Sequence, residues 1–261
     1  MVERTAYCVH GSDSAVPVVL IHGLGLTKST WDDHVPLLAE TMQVVTYDLY
    51  GHGESDPPPT TPSLSMFADQ LISLADHLHI DRMHLVGFSL GGMINRRVAM
   101  DHPDRVASLA ILNSPHERGA EAQRLVEQRA IDSAAGGPGA TIDATLERWF
   151  TADAIANKTD LVGQVRETVL ANDHDAYAAC RYVLANGVVE LIDPEPPIRH
   201  PTLVMTCEND TGSTPAMSEA IASEIERSTC VIVPGLQHLG LLERPELFTN
   251  ELLNFLKGLE P

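Results

Sequence analysis

His84-Leu-Val-Gly-Phe-Ser-Leu-Gly-Gly-Met93 is the stretch from which the rest of the chain can be read. Leu85, Val86 and Phe88 make its first half apolar and strand-like, and a helix is expected from Leu90 to about Met100. The corner between them, Gly87-Phe88-Ser89-Leu90-Gly91, is a G-x-S-x-G element. A serine on a sharp strand-to-helix turn is held in a strained backbone conformation that lifts its hydroxyl above the sheet. Bulky side chains two positions to either side would clash, so Gly87 and Gly91 stand there, and Gly92 lets the helix lie close to the sheet. The helix N-terminus behind Ser89 offers free N–H groups and the positive end of a dipole. A bare G-x-S-x-G also arises by chance in glycine-rich turns. The flanking strand and helix are the context that gives it meaning.

On either side of this corner the pattern alternates. Val2 to His10 reads as a weak first strand, with a turn at Gly11-Ser12-Asp13. Val16-Pro-Val-Val-Leu-Ile21 is a continuous apolar run, the mark of a strand covered on both faces. A helix is expected near Ser29, with Asp32 completing a capping-box-like pattern. Val44–Tyr47 is the next strand, and Ser63 to His79 carries apolar residues at helical spacing. After the Ser89 corner, His102-Pro103 stops the helix and Val106–Leu112 reads as another buried strand. The alternation resumes late, with a strand at Thr202–Thr206, a helix from Pro215 to about Arg227, a strand at Thr229–Val233 and a helix from Pro245 to Leu259. This order implies an α/β fold with a mostly parallel central sheet flanked by helices. Between Pro115 and Pro197 the pattern is helical only: Glu121–Ala130, Thr141–Trp149, Asp160–Ala171 and Asp175–Leu184, with a break at Gly136-Gly-Pro-Gly139. The expected division is a core of 1–114 and 198–261 with a helical cap inserted at 115–197.

Composition narrows the function. The chain has 261 residues, 36 acidic against 17 Lys and Arg, and a net charge of -19. That balance argues against nucleic acid or an anionic membrane as partner, because phosphate binding needs clustered Lys and Arg. Cys8, Cys180, Cys207 and Cys230 are scattered with no C-x-x-C pair, which reads as free thiols of a reducing compartment. The first residues lack the apolar core of a signal peptide, and no apolar run approaches the ~18 residues of a membrane span. A cytoplasmic protein is expected. A homo-oligomer is compatible with everything in the sequence.

A serine hydroxyl is a poor nucleophile until a base takes its proton. Twelve histidines compete for that role. His34, His102, His174 and His200 lie in polar or loop surroundings and read as surface residues, while His22 reads as a structural hydrogen-bonder. His238 follows the last strand, in a loop at the carboxyl edge of the sheet where Ser89 also stands. Asp210, just after the Thr202–Thr206 strand, is the candidate carboxylate to orient it, with Glu208 as rival. No acid follows the Val106–Leu112 strand; Asn113-Ser114 stand there instead. An oxyanion hole needs two backbone donors, and the N–H groups of Leu90 and Leu24 are placed for it. His22, Asp48 and His52 do not make a metallo-hydrolase spacing, so no metal and no cofactor is expected.

His22-Gly23, Asp48-x-x-Gly-His-Gly-x-Ser55, Gly87 to Gly92, Asp210 and His238 together resemble the α/β-hydrolase superfamily over nearly the whole chain. Within it, Glu147-Arg-Trp-Phe-Thr151, Tyr177-Ala-Ala-Cys180 and Gln237-His-Leu239 ahead of Glu243-Arg-Pro245 resemble the β-ketoadipate enol-lactonases and small carboxylesterases. Two departures leave the triad untouched: Glu208-Asn-Asp-Thr replaces a commoner Gly-x-x-Asp loop, and Tyr50 stands where Arg is usual. The resemblance implies a serine hydrolase in which Ser89 attacks a carboxylic ester or lactone and His238 moves the proton. Ser rather than Asp at position 89 disfavours dehalogenase and epoxide hydrolase chemistry, and Leu239 disfavours a carbon–carbon hydrolase. That last activity, and a catalytically silent ligand receptor on the same fold, stay open. The expected pocket residues are Trp149, Tyr177 and Tyr182, with Phe150 as a further candidate. Arg148, Lys158, Arg166 and Arg181 are among the better-placed cations of the cap, and the sequence places none of them inside. The expected partner is therefore a neutral small-molecule ester or lactone.

Overall fold

The computed structural model describes residues 4–12 and 16–259. Val2 and Asp13 of the expected first strand and turn lie outside the described residues. Seven strands form one sheet in the order β1-β3-β2-β4-β5-β6-β7. They are β1 (Tyr7–His10), β2 (Val18–Ile21), β3 (Val44–Tyr47), β4 (Met83–Phe88), β5 (Val106–Leu112), β6 (Thr202–Cys207) and β7 (Ser228–Val233). Only β1 runs antiparallel, against β3. All other pairings are parallel. The runs read as apolar on both faces are buried without a gap in β2, β3 and β6, because helices cover both sides of the sheet. The edge strand β7 is mostly half-buried.

This topology decides where chemistry can happen. Since β2, β4, β5, β6 and β7 are parallel, the loops that leave them open along one edge of the sheet. His22 to Leu24, Ser89, Asn113, Asp210 and His238 each occupy one of those five loops. Five distant segments converge there because the strands share one direction.

The helices of the outer layers are α1 (Val35–Leu38), α2 (Leu64–His77) and α3 (Leu90–Asp101) in the first half. In the last third they are α9 (Pro215–Ser223), α10 (Gly240–Glu243) and α11 (Pro245–Lys257). Between β5 and β6 lie α4 (Ala120–Gly136), α5 (Ile142–Trp149), α6 (Ala152–Asn157), α7 (Thr159–Leu170) and α8 (His174–Asn186), with no strand among them. Ser63 caps α2 by accepting from the Met66 N–H at 3.1 Å. The capping box expected at Ser29 and Asp32 does not form. A 3-10 turn over Lys28–Trp31 stands there, and its cap residue Thr27 bonds the Ser29 hydroxyl instead. His34, expected at the surface, is buried: its Nδ1 meets Thr249 Oγ1 at 2.8 Å and its ring lies edge-on to Trp31. The short α1 presses onto α11, which takes His34 out of water and holds its imidazole down at about 4. Among the described residues no helix is long and apolar enough to cross a membrane.

Candidate active site

Ser89 sits between the end of β4 and the start of α3 with φ 54° and ψ -111°, a conformation rare for a side chain of this size. The strain persists because backbone surrounds the turn on both sides. A Cβ on Gly87 would lie 2.2 Å from the Gly91 carbonyl oxygen, and one on Gly91 would lie 2.3 Å from that of Ile21. Neither oxygen can yield without moving the sheet, so both positions admit only glycine. The Ser89 N–H donates to the Leu112 carbonyl at 2.8 Å, and Ser114 Oγ donates to the Ser89 carbonyl at 2.9 Å, tying the corner to the end of β5.

Asp210 is buried, and its two oxygens receive four donors. Oδ1 accepts the N–H groups of Gly212 and Ser213 at 2.8 and 2.9 Å. Oδ2 accepts His238 Nδ1 at 2.7 Å and Asn113 Nδ2 at 2.9 Å. Burial alone would raise this carboxyl. The charge of His238 and its hydrogen bond, with those from Asn113 and Ser213, outweigh burial and hold it below its ordinary range. An ionised Asp210 fixes the proton of His238 on Nδ1 and leaves Nε2 free to accept. The imidazole lies between two rings, with centroids 5.0 Å from Phe88 and 5.9 Å from Trp149. Glu208, the rival carboxylate, instead accepts the Gly235 N–H at 2.9 Å in an exposed turn.

Ser89 and His238 border the same cavity, together with Leu24 and Trp149. Among the described residues Ser89 Oγ donates no hydrogen bond. The amide N–H groups of Leu24 and Leu90 likewise donate to no group among the described residues. His22 is a brace for this loop. It bonds the Gly23 carbonyl through Nδ1 at 2.8 Å and accepts the Leu49 N–H on Nε2 at 3.0 Å. Burial holds it neutral, with a pKa of about 4. Among the described residues no group of three or more His, Cys, Asp and Glu side chains could hold a metal ion.

The walls of the cavity differ from the expectation. Trp149 lines it, but Tyr177 and Tyr182 do not. Tyr177 is buried behind the wall, where its ring fills the space beside Gly25 and its hydroxyl accepts from Arg181 Nη1 at 2.9 Å. Tyr182 is 62% exposed. It follows Arg181 on α8, and one residue along a helix turns a side chain by ~100°. If Arg181 faces in, Tyr182 faces out. Phe150 is wholly buried in the core.

The larger correction concerns charge. Arg118, Arg129, Arg148 and Arg181 all border the cavity, and among the described residues no Asp or Glu does. The expected absence of inward cations is therefore overturned for Arg148 and Arg181. Arg118 and Arg129 were not candidates at all, because on α4 and its approach they are scattered among acids and glutamines. Lys158 and Arg166 do point elsewhere: Lys158 donates to the Glu243 carbonyl and Arg166 pairs with exposed Asp143. Burial, then the charges of Arg129 and Arg181, pull Arg148 down to about 10. Burial does the same to Arg118. Sequence spacing held one usable signal: Tyr177 and Arg181 stand four apart on one helix face.

A seven-stranded, nearly parallel sheet with serine, histidine and carboxylate loops along one edge defines an α/β hydrolase. The chain matches the alpha/beta hydrolase family over residues 18–251 and belongs to it. It is 29% identical over 245 residues to (E)-2-((N-methylformamido)methylene)succinate hydrolase of Acinetobacter baylyi, covering 94% of this chain and 91% of that one. It is 27% identical over 254 residues to 3-oxoadipate enol-lactonase 1 of the same organism, covering 97% and 92%. Among solved structures it is similar to the enol-lactonase from Burkholderia xenovorans, with 28% identity, a TM-score of 0.90, and 98% and 97% of the two chains covered.

Proposed function

We propose that this hydrolase cleaves a carboxylic ester or lactone through an acyl-enzyme. The observation that carries the reading is the short Asp210 Oδ2···His238 Nδ1 bond, beside a cavity that His238 shares with strained Ser89. In this mechanism Ser89 Oγ attacks the acyl carbon while His238 Nε2 takes its proton. Asp210 stabilises the imidazolium so formed. The N–H groups of Leu24 and Leu90 receive the charge that develops on the acyl oxygen. The acyl carbon–oxygen bond then breaks and the imidazolium returns its proton to the leaving alkoxide. Water, deprotonated by the same imidazole, releases the acid and restores Ser89. Residues 115–197 act as a cap that roofs the cavity, with Trp149 over His238.

The similar proteins named as hydrolase and lactonase support this reading, as does the placement of Ser89 in the residues the family covers. Ser89→Ala should lower turnover of p-nitrophenyl butyrate by roughly 10³-fold or more, because triad members act as a unit. A variant near the wild-type rate would remove the assignment.

A further inference from the structure

Resting on Ser89 as the nucleophile, we infer that the cavity above it selects an ester or lactone bearing two carboxylates, held by Arg129, Arg148 and Arg181. These residues come from three different helices, α4, α5 and α8, and meet on one wall. In a chain with 36 acids and 17 Lys and Arg, a cation without a carboxylate partner needs an explanation. Elsewhere Arg97 pairs with Asp101, Arg105 with Asp76, Arg166 with Asp143 and Arg244 with Glu246, while buried Arg96 bonds two carbonyls and the Ser114 hydroxyl. Among the described residues Arg129, Arg148 and Arg181 make no ion pair. Arg129 and Arg148 lend no side-chain hydrogen bond to any described residue either.

The three repel one another, and folding alone would not gather them. Arg148 is pulled down by burial and by both neighbours, and Arg129 by burial and by Arg181. The acid whose charge reaches Arg148 is Asp210, already engaged by four donors. Arg181 is held in place: its Nη1 donates to Tyr177 and its guanidinium carbon lies 5.8 Å from that ring's centroid. Its remaining N–H groups are free to bind. A guanidinium takes a carboxylate in bidentate fashion, and a fixed one does so at lower entropic cost. One carboxylate would leave two of the three charges uncompensated where burial already disfavours Arg148 and Arg129; two carboxylates leave one. Arg118 stands at the same cavity with its Nε buried and without a partner, and adds to the positive field.

The test uses three p-nitrophenyl esters of similar length: the butyrate (neutral), the monoester of glutarate (one carboxylate) and the monoester of propane-1,2,3-tricarboxylate (two). kcat/KM should rise at least tenfold from the neutral to the dianionic ester, mainly through KM. Arg148→Gln and Arg129→Gln should each lower the dianionic-to-neutral ratio at least fivefold. Because Arg129 has no partner to orphan, its variant should melt at or above the wild-type temperature, which controls for folding. A flat series, a maximum at the glutarate ester, or equal losses on all three esters in the variants would overturn the inference while Ser89→Ala remained inactive. Butyrate turnover surviving in Ser89→Ala would instead strike the nucleophile, and with it the reading on which this inference rests.

Discussion

At Asp210 four donors meet one buried carboxylate, and this local chemistry has a consequence for pH. A carboxyl whose folded pKa is depressed contributes stability above its unfolded value, ~3.9, and loses it as pH falls through the folded value. Unfolding free energy should therefore fall below about pH 4. Asp210→Asn should show a shallower acid decline in urea titrations at pH 5 and pH 3; an unchanged slope would mean that Asp210 is not ionised in the fold. The same substitution should lower ester turnover by ~10⁴-fold, since an amide favours the wrong imidazole tautomer. Asp210 and His238 were legible in the sequence because strand ends and chain order place them. Asn113 as a donor to Asp210 was not. The sequence showed only that no acid followed β5, whereas the left-handed backbone at φ 45° that turns its amide toward Asp210 has no sequence mark beyond asparagine's tolerance for it.

Among the elements, strands were legible and the helical segment was read only in outline. Buried parallel strands announce themselves as unbroken apolar runs, so β2 to β6 fell close to where they were expected. Helix ends are set by packing, which a sequence does not print. Helix α4 runs on through Ala130 to Gly136, α9 stops at Ser223 instead of near Arg227, and α6 was unexpected. The junction of α5 and α6 is tied to α10 and to the residue before it. Buried Glu243 on α10 accepts the Thr151 N–H at 2.8 Å and its hydroxyl at 2.7 Å, while Leu239 N–H donates to the Trp149 carbonyl at 2.8 Å. Trp149 is thus pinned to the His238 loop. Thr151→Val removes one donor from a buried carboxylate and the side-chain cap of α6, and should cost about 1–3 kcal/mol in urea unfolding. It should also lower kcat/KM by loosening Trp149; full stability and activity in the variant would show that the clasp is ornamental.

Taken as one body, the protein is a strongly acidic particle with four arginines gathered at one concave site. A cleft lined by one sign of charge focuses ligands of the opposite sign. This arrangement was invisible in composition, because a net charge of -19 says how many charges there are and not where the fold sends them. The sheet direction that collects the five loops and the helices that turn the arginines inward belong to the same topology. What they surround is Ser89, and the account depends on its being the nucleophile. Intact-mass analysis after exposure to a fluorophosphonate tests that most directly. The account predicts a single covalent adduct, mapped to the peptide containing Ser89 and absent from the Ser89→Ala variant. An unlabelled wild type, or a variant labelled at the wild-type rate, would contradict it.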